Sequence, residues 1–581
     1  MPKIDSSPPG YEIFNGAEIF PHGHLPLAAA YCRRLGLAEI IDQMVPSQMH
    51  LRPGLAVQAI VLDTLSGRTP LYRLEEFMAE QDVELLLGEN VSVHLFNDNN
   101  LARSLDAIFE AGSSKILTEI GIQATKHFSL DPTVVSYDTT STSVWGDYST
   151  CESEESSKGP CITHGHSKDH RPDLKQFMTE LLCVERGIPI FGSTLDGNSS
   201  DKNSNNKILT RISSIMSKHG LGPGAFVYVS DSAMITKGNL EAIGEKNKFI
   251  SRLSAAYSAC SKAITEAVDA ESWIKIGRLA ENYGSAKRPG AQYKAFETSV
   301  ELYKKKYRAV VIHSDSHDKR RQKKINKAVA KSSKELTAQL KKITTIYHCE
   351  PDACKAVQAI VKLSGSLHSV EANIHSFQKR LPGRPPKNGS SPTQTKYKIQ
   401  WDVVENKVAM KKLKAEAGCF VLICNVPLEG ENAMEAAKLL QVYKGQYGVE
   451  SDFAFLKDPL VVNDTFLKRP ERIDALGMIL VISLLVWRLM ERSLRAWIES
   501  TGETLPGWDK KRTTKPTTFM VFTAMYGMQV LLTKDKERYF LRGPTGRQRE
   551  YLQALGLNEF VFTDCNQVCA PIIPLKDVAK R

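Results

Sequence analysis

The stretch that most constrains the fold runs from residue 133 to about 255, where helical spacing of apolar residues gives way to short β-rich runs. "TVVSYD" predicts a strand, and "KQFMTELLCVERGIPIFGSTLDG" predicts two strands that turn at Arg186 and Gly187. "KILTRISSIMSKHG" has helical spacing, and "AFVYVSD" and "KFISRL" are further short apolar runs. The order strand, hairpin, helix, strand, strand predicts an α/β fold with a mixed sheet and helices packed on it.

Two of these predicted strands end on an aspartate. Asp138 follows "TVVSY" and Asp231 follows "AFVYVS", and small or hydroxyl residues come after each. Two carboxylates side by side at one sheet edge repel each other unless a cation lies between them, and hard oxygen ligands suit Mg²⁺ or Mn²⁺. An aspartate at a strand end is also a common turn or helix cap, so this structural role stays open.

A third group lies far downstream, in "QVYKGQYGVESDFAFLKDPL". Its members are Tyr443, Gln446, Glu450 and Lys457. On one continuous helix these four side chains project within an arc of about 60°. An aromatic ring, an amide, a carboxylate and an ammonium on one face suit the binding of a phosphate beside a metal. A solvated stripe, with the neighbouring aromatic residues packing elsewhere, is the alternative interpretation.

The ordered set strand-Asp, strand-Asp, helix-Glu resembles the ribonuclease-H-like core of the DDE transposases of bacterial insertion sequences. The downstream group is similar to the Tyr-Arg-Glu-Lys signature of their insertion-sequence-four type. "GHSKDHRPDLKQF", "LDGNSSD", "RPERIDALGMILVISLLVWRLMERSLR" and "LFNDNNLARSLD" also resemble stretches of these enzymes, so the resemblance covers nearly the whole chain. Gln446 stands where the signature has arginine, which removes a permanent charge and a bidentate phosphate fork.

The resemblance implies a ribonuclease-H-like mixed sheet with flanking helices, divided along the chain into four parts. They are a helical N-terminal DNA-binding domain (1–125), the first part of the catalytic core (126–255), an insertion domain with a basic helix and a Pro/Gly linker (256–430), and the C-terminal part of the core with the Glu-bearing helix and closing helices (431–581).

The resemblance also implies a function. Asp138, Asp231 and Glu450 would be the catalytic residues and would hold two Mg²⁺ (or Mn²⁺) ions. The enzyme would cleave DNA at the ends of an insertion sequence and transfer the 3′-hydroxyl strand into target DNA. A catalytically inactive or repurposed protein that only binds terminal inverted repeats is the alternative, and a ribonuclease-H-like nuclease without strand transfer is a weaker one.

Double-stranded DNA is the expected partner, as terminal inverted repeats and as target, and the resemblance implies a homodimer. Tyr443, Gln446 and Lys457 would contact the phosphates of the bound end. In "GHSKDHRPDLKQF", Lys168 and Arg171 would line the DNA path.

Two weaker motifs have alternative interpretations. His164, His166 and His170 with Cys151 and Cys161 could bind zinc, but their spacing matches no common structural zinc site. In the linker, Arg384 belongs to a Gly-Arg-Pro tripeptide that resembles a minor-groove-binding AT-hook, although a plain linker is favoured.

Positive charge is concentrated in one segment. Residues 301–350 carry 14 Lys/Arg against 5 Asp/Glu, a net charge of +9 in a chain whose total is +11. Such a concentration indicates a polyanionic partner such as nucleic acid. A solvated helix face is equally favoured, because Ile325, Val329, Leu336, Leu340 and Ile343 repeat at helical spacing beneath the lysines.

The remaining signals concern location. The apolar stretch Ala475–Trp487 is too short to span a bilayer and predicts a buried helix. The N-terminal residues contain no apolar signal core, and eleven cysteines, an odd number without a C-x-x-C pair, fit reduced thiols. We therefore expect a cytoplasmic, nucleoid-associated bacterial protein that contacts no membrane.

Overall fold

The computed structural model of the chain describes residues 16–148, 159–185, 187–279, 290–382, 393–430, 432–458 and 467–565. These residues form two compact units. The chain up to Ser251 and from Val442 onward makes the first unit, and Arg252–Gln441 makes the second. Both units contain helices and strands, so the predicted α/β class is confirmed.

The first unit begins with a short strand and a group of helices. They are β1 (Glu18–Phe20), α1 (Leu25–Leu35), α2 (Leu37–Met44), α3 (Pro53–Leu65), α4 (Leu74–Ala79), α5 (Val83–Leu87), α6 (Asp98–Ala111) and α7 (Ser113–His127). Gly36, at φ 63°, separates α1 from α2, because glycine enters the left-handed region without a Cβ clash. Every residue of α3 is buried, which makes this helix the centre of the group.

Five strands that pair as part of a mixed sheet follow. The elements of this segment are β2 (Val134–Val144), β3 (Lys175–Val184), β4 (Ile188–Leu195), α8 (Asp201–Lys218), β5 (Val227–Ser230), α9 (Lys237–Ile243) and β6 (Lys248–Leu253). The strand order is β4-β3-β2-β5-β6. β3 runs antiparallel to both of its neighbours, whereas β2, β5 and β6 are parallel. The predicted order of strands and helix and the mixed sheet are confirmed.

Strand β2 is longer than the sequence predicts. It does not end at Asp138 but continues through the hydroxyl-rich run to Val144. Thr139 to Val144 remain paired with the antiparallel strand β3, whose apolar residues hold this segment extended. Only the parallel partner β5 stops near Asp138, so the predicted strand end is correct on one side of β2 and wrong on the other.

The second unit contains two sets of antiparallel strands and, in its described ranges, four complete helices. In chain order its elements are α10 (Ser258–Ala270), β7 (Ile274–Arg278), β8 (Gln292–Leu302), β9 (Lys305–Ser314), α11 (Asp315–Leu340), β10 (Ile346–Tyr347), α12 (Glu350–Val361), β11 (His368–Arg380), β12 (Thr393–Glu405), α13 (Lys407–Glu416) and β13 (Cys419–Cys424). One set of paired strands has the order β13-β9-β8-β7 and the other β10-β12-β11. The range of this unit contains that of the predicted insertion, residues 256–430.

The chain then completes the first unit. Its elements are α14 (Ala436–Gly445), α15 (Tyr447–Leu456), α16 (Pro470–Thr501), β14 (Leu505–Pro506), β15 (Arg512–Thr513), α17 (Thr518–Met525), β16 (Gln529–Leu532), β17 (Arg538–Arg542) and α18 (Gly546–Ala554). Helix α16 packs on β4, α3 and α6. Strand β16 pairs with β1, which brings the two ends of the chain into one sheet.

Helix α16 is, in the described part of the chain, the one helix long and apolar enough to cross a membrane. However, 78% of its most apolar 18-residue window is buried within the fold. Such burial is typical of a core helix in a globular protein, and the prediction of a buried helix at Ala475–Trp487 is confirmed.

Candidate active site

The two candidate aspartates lie at the same level of adjacent parallel strands. The pairing of β2 with β5 runs from Val134 opposite Val227 to Ser136 opposite Val229. Asp138 and Asp231 each lie two residues beyond the last pair. The strand directions therefore bring these two carboxyl groups to the same sheet edge, as the sequence predicts.

The Asp138 carboxyl group is largely withdrawn from water, and its side chain is 23% exposed. Its pKa is raised to about 6, mainly by burial and in smaller part by the negative charges of Asp231 and Asp201. The ammonium group of Lys168 and the backbone N–H of Thr139, which donates to Oδ1 at 2.7 Å, lower the pKa. A carboxyl group in this position gains from any additional cation.

Asp231 combines a structural and a candidate chemical role. Its side chain accepts a hydrogen bond of 2.9 Å from the backbone N–H of Ala233 and so caps a short 3₁₀ turn. Its main-chain oxygen accepts a hydrogen bond of 2.7 Å from Ser251 Oγ on β6. Burial raises its pKa, as does the charge of Asp201. Asp231 therefore does cap a turn, which was the alternative interpretation from the sequence. The cap holds its carboxyl group at the sheet edge.

Lys168, predicted to line the DNA path, lies within this acidic cluster. Its Nζ donates to the main-chain oxygen of Thr139 at 2.6 Å, and lies 3.2 Å from Asp201 Oδ1 and 3.9 Å from Asp138 Oδ1. Its backbone N–H donates to Ser141 Oγ at 2.9 Å. The ammonium charge thus offsets part of the charge of the carboxylates.

Asp201 is a member of the cluster that the sequence reasoning missed. It is the first residue of α8, and Thr139 Oγ1 donates a 2.6 Å hydrogen bond to it. Its position at the end of "LDGNSSD" was the available signal, because a helix start that follows a strand can lie at the sheet edge. The hydroxyl residues after Asp138 therefore have partners: Thr139 binds Asp201, and Ser141 holds the backbone of Lys168.

Close backbone packing brings the two loops of the cluster together. A Cβ atom on Gly165 would lie 2.1 Å from the main-chain oxygen of Gly197, and one on Gly197 would lie 2.0 Å from that of Gln176. Gln176 Nε2 also donates to Gly197 O at 2.7 Å. Only glycine fits at these two positions, so the loop that carries Lys168 is held against the loop that leads to Asp201.

Glu450 lies on a different kind of element from the one that the sequence predicts. The predicted single helix is two helices, α14 and α15, which meet at Gln446. Around Gln446 the backbone hydrogen bonds span three residues, from Gln446 N to Tyr443 O and from Val449 N to Gln446 O. The prediction of one helix face with four aligned side chains is therefore wrong.

The side chains of the predicted phosphate-binding group differ in their exposure to solvent. Gln446 is buried, at 8% exposure, whereas Glu450 is exposed, and Tyr443 is intermediate. Helix α15 packs on β2 and α16. The Glu-bearing helix is thus adjacent to the strand of Asp138, and the Glu450 side chain on it is exposed.

Two of the predicted phosphate-binding side chains have acidic partners. Lys457, at the C-terminal end of α15, lies 2.6 Å from Asp169 Oδ1. Arg171 forms a bidentate pair with Asp173 and lies over the ring of Trp145, its Cζ 5.1 Å from the ring centroid. DNA phosphates would have to compete with these carboxylates. Arg384 lies outside the described residues.

A divalent cation fits part of this site. Asp138 and Asp231 present hard oxygen donors, and the raised pKa of each group shows that its negative charge is poorly compensated. Within the described ranges, however, no group of three or more His, Cys, Asp or Glu side chains is placed to hold a metal ion. The two aspartates therefore suit a cation, and Glu450 as a third ligand stays a prediction.

The cysteine prediction needs one correction. Cys161 is disulfide-bonded, whereas the other described cysteines are free. The prediction of uniformly reduced thiols is therefore wrong at this position. A thiol engaged in a disulfide cannot ligate zinc, which removes one of the five side chains of the alternative zinc site.

The N-terminal region is similar to a known protein family. A family model described as "Domain of unknown function (DUF4277)" matches residues 18–122. This range contains β1, helices α1 to α6 and most of helix α7. No curated protein matches the chain. The description of the matched family assigns no activity.

Proposed function

We propose that the protein is a DDE transposase that cleaves DNA at insertion-sequence ends and transfers the 3′-hydroxyl strand into target DNA. The observation that carries the proposal is the placement of Asp138 and Asp231 at one level of the adjacent parallel strands β2 and β5. Buried carboxyl groups with raised pKa, placed in pairs at a sheet edge, are typical of metal-dependent phosphoryl transfer sites.

The topology supports the same proposal. In a ribonuclease-H-like core, three antiparallel strands are followed by a helix and by two strands parallel to the first. The order β4-β3-β2-β5-β6, with α8 between β4 and β5, has this arrangement. Residues 252–441 intervene before the helix that carries Glu450, where the resemblance implies an insertion.

In this proposal Asp138, Asp231 and Glu450 bind two Mg²⁺ or Mn²⁺ ions, which would activate water and stabilise charge at the leaving 3′-oxygen. Since Glu450 is exposed on α15, it would have to turn toward β2 for that role. Lys168 keeps the aspartates at the sheet edge by balancing their charge.

The partners follow from the same chemistry. Duplex DNA would be bound as terminal inverted repeats and as target, by a homodimer in the cytoplasm, associated with the nucleoid. Lys457 would exchange Asp169 for a DNA phosphate, and Arg171 would do the same with Asp173. Because Gln446 is buried, it would contribute more to the packing of α15 than to phosphate binding.

A catalytically inactive binder of terminal inverted repeats is the second candidate. The observations that favour it are the ammonium group of Lys168 beside Asp138 and the absence, among the described residues, of a group of three or more His, Cys, Asp or Glu side chains placed to hold a metal ion. A protein of this kind would keep the fold and the DNA surfaces without cutting.

The deciding experiment incubates the purified full chain with a labelled duplex of its own element's end, in Mg²⁺ or in EDTA. We expect release of a 3′-hydroxyl at the element boundary in Mg²⁺ only. The Glu450→Gln and Asp138→Asn variants should bind the duplex and fail to cut it.

Glu499→Gln is the matched control, because Glu499 is an exposed carboxylate on α16 in the same unit. This variant should cut like the wild type. Binding without cutting by the wild type would favour the inactive binder, and cutting without strand transfer would favour a nuclease. Cleavage that survives Asp138→Asn would contradict the proposed site.

A further inference from the structure

Helix α11 (Asp315–Leu340) of the second unit is strongly two-sided. Its apolar residues Ile325, Val329, Leu336 and Leu340 project within an arc of about 60°. Leu336 and Leu340 pack in a core with Ile360, Val370 and Ile399 from α12, β11 and β12. This core fixes which side of the helix faces the unit and which side faces solvent.

The opposite side of α11 is basic. Its positively charged members are Lys319, Arg320, Lys323, Lys324, Lys327, Lys331 and Lys334, and every one of them is exposed. They project within an arc of about 140° that is centred roughly opposite the apolar arc. We call this surface the basic face of α11. The helix therefore has both features that the sequence indicates: apolar residues that pack on one side and a concentration of exposed positive charge on the other.

The spacing of charge along the basic face matches that of nucleic acid. From Lys319 to Lys334 the helix rises about 22 Å, so these residues supply roughly one positive charge per 3 Å. B-DNA carries one phosphate per ~3.4 Å on each strand. Near the edge of the face, Glu335 Oε1 lies 3.8 Å from Lys331 Nζ. Both side chains are exposed, so a DNA phosphate can replace Glu335 beside Lys331 at little cost.

We propose that the basic face of α11 binds the phosphate backbone of duplex DNA without regard to sequence, at a surface distinct from the carboxylate cluster. The choice of DNA as the polyanion rests on the proposed function. The lysines carry point charges on flexible stems, which suit phosphate positioning and not base reading. This surface would hold flanking or target DNA, whose sequence is not fixed.

The test uses the full chain in EDTA and a random-sequence duplex that contains no element end. In the variant Lys319→Gln/Lys323→Gln/Lys327→Gln/Lys334→Gln, fluorescence anisotropy should give a Kd at least about tenfold weaker at 0.1 M salt. The slope of log K against log salt should become shallower by about 3 to 4, because each lost phosphate contact removes about 0.9. Since the four side chains are exposed, the thermal unfolding midpoint should not move.

Two matched variants complete the design. Lys→Arg at the same four positions keeps the charge and should keep the affinity. Lys→Gln at Lys407, Lys411, Lys412 and Lys414, which are exposed on α13, removes the same net charge and should have a smaller effect. Unchanged DNA binding in the α11 variant, an equal loss in the α13 variant, or tighter binding of duplex RNA than of DNA would overturn the proposal.

The result is independent of cleavage. A wild type that fails to cut element ends, while the α11 variant loses affinity for random duplex, would reject the proposed enzyme and retain the basic face. A wild type that cuts element ends, while the α11 variant binds random duplex normally, would support the proposed enzyme and reject DNA binding by the basic face of α11.

Discussion

At the scale of single residues, Asp138 shows how burial and neighbouring charge act on one carboxyl group. Its pKa is raised to about 6 in the fold, mainly by burial, against about 3.9 for an aspartate in an unfolded chain. The folded state therefore binds the proton more tightly than the unfolded state. The stability that this group contributes is complete below about pH 4 and is lost as the pH rises through about 6.

Asp138→Asn should remove this pH dependence. In EDTA, the wild type should lose up to about 3 kcal/mol of unfolding free energy between pH 4 and pH 7 relative to the variant. Urea unfolding at several pH values measures the difference. Above pH 6, Mg²⁺ should restore stability to the wild type and not to the variant, because only the carboxylate binds the cation. Parallel stability curves for the two proteins would show that the Asp138 pKa is not raised.

At the scale of elements, helix α15 is attached to α16 by a buried ion pair. The Asp452 side chain is fully buried and lies 2.6 Å from Nε of Arg488, whose Nη2 donates to Ser451 Oγ at 3.0 Å. Burial raises the pKa of Asp452 even though the guanidinium lowers it. Because Glu450 is two residues away on the same helix, this pair fixes the element that carries the third candidate carboxylate.

Arg488→Met should therefore destabilise the first unit strongly. Removal of one partner leaves a buried carboxylate without compensation, at a cost of about 3–5 kcal/mol. Arg549→Gln is the control: Arg549 pairs with Glu559, and the two side chains are 59% and 41% exposed, so its loss should cost less than about 1 kcal/mol. Urea denaturation compares both with the wild type, and equal losses would mean that the Asp452 pair contributes no more than a surface pair.

The sequence predicted elements better than it predicted their junctions. The apolar runs around Asp138 and Asp231 indicated neighbouring strands, because alternation and β-branched residues are local signals. The break at Gln446 was missed although Gly445 stands beside it, because helical spacing was extended across both helices. The cluster of Lys168 with Asp201 depends on two loops that only tertiary packing brings together, and no local pattern reports such a contact.

At the scale of the whole molecule, the two ends of the chain form one unit. Strand β1 pairs with β16, Arg34 Nη1 donates to Leu555 O at 2.8 Å, and Arg538 makes a bidentate pair with Asp82 on the loop before α5. The N-terminal helices, predicted as a domain of residues 1–125, share a compact unit with the C-terminal segment. Contacts over such sequence separation cannot be inferred from composition or spacing.

The Asp82–Arg538 pair tests this assembly. Both side chains are almost fully buried, at 2% and 5% exposure, so Arg538→Met should lower the unfolding free energy by about 3–5 kcal/mol. The double variant Asp82→Asn/Arg538→Met should recover part of that loss. The amide removes the unpaired charge and can still accept the hydrogen bond from Leu85 N–H that caps α5. Urea denaturation gives both values, and a double variant no more stable than Arg538→Met would mean that lost packing, not the orphaned Asp82 charge, causes the destabilisation.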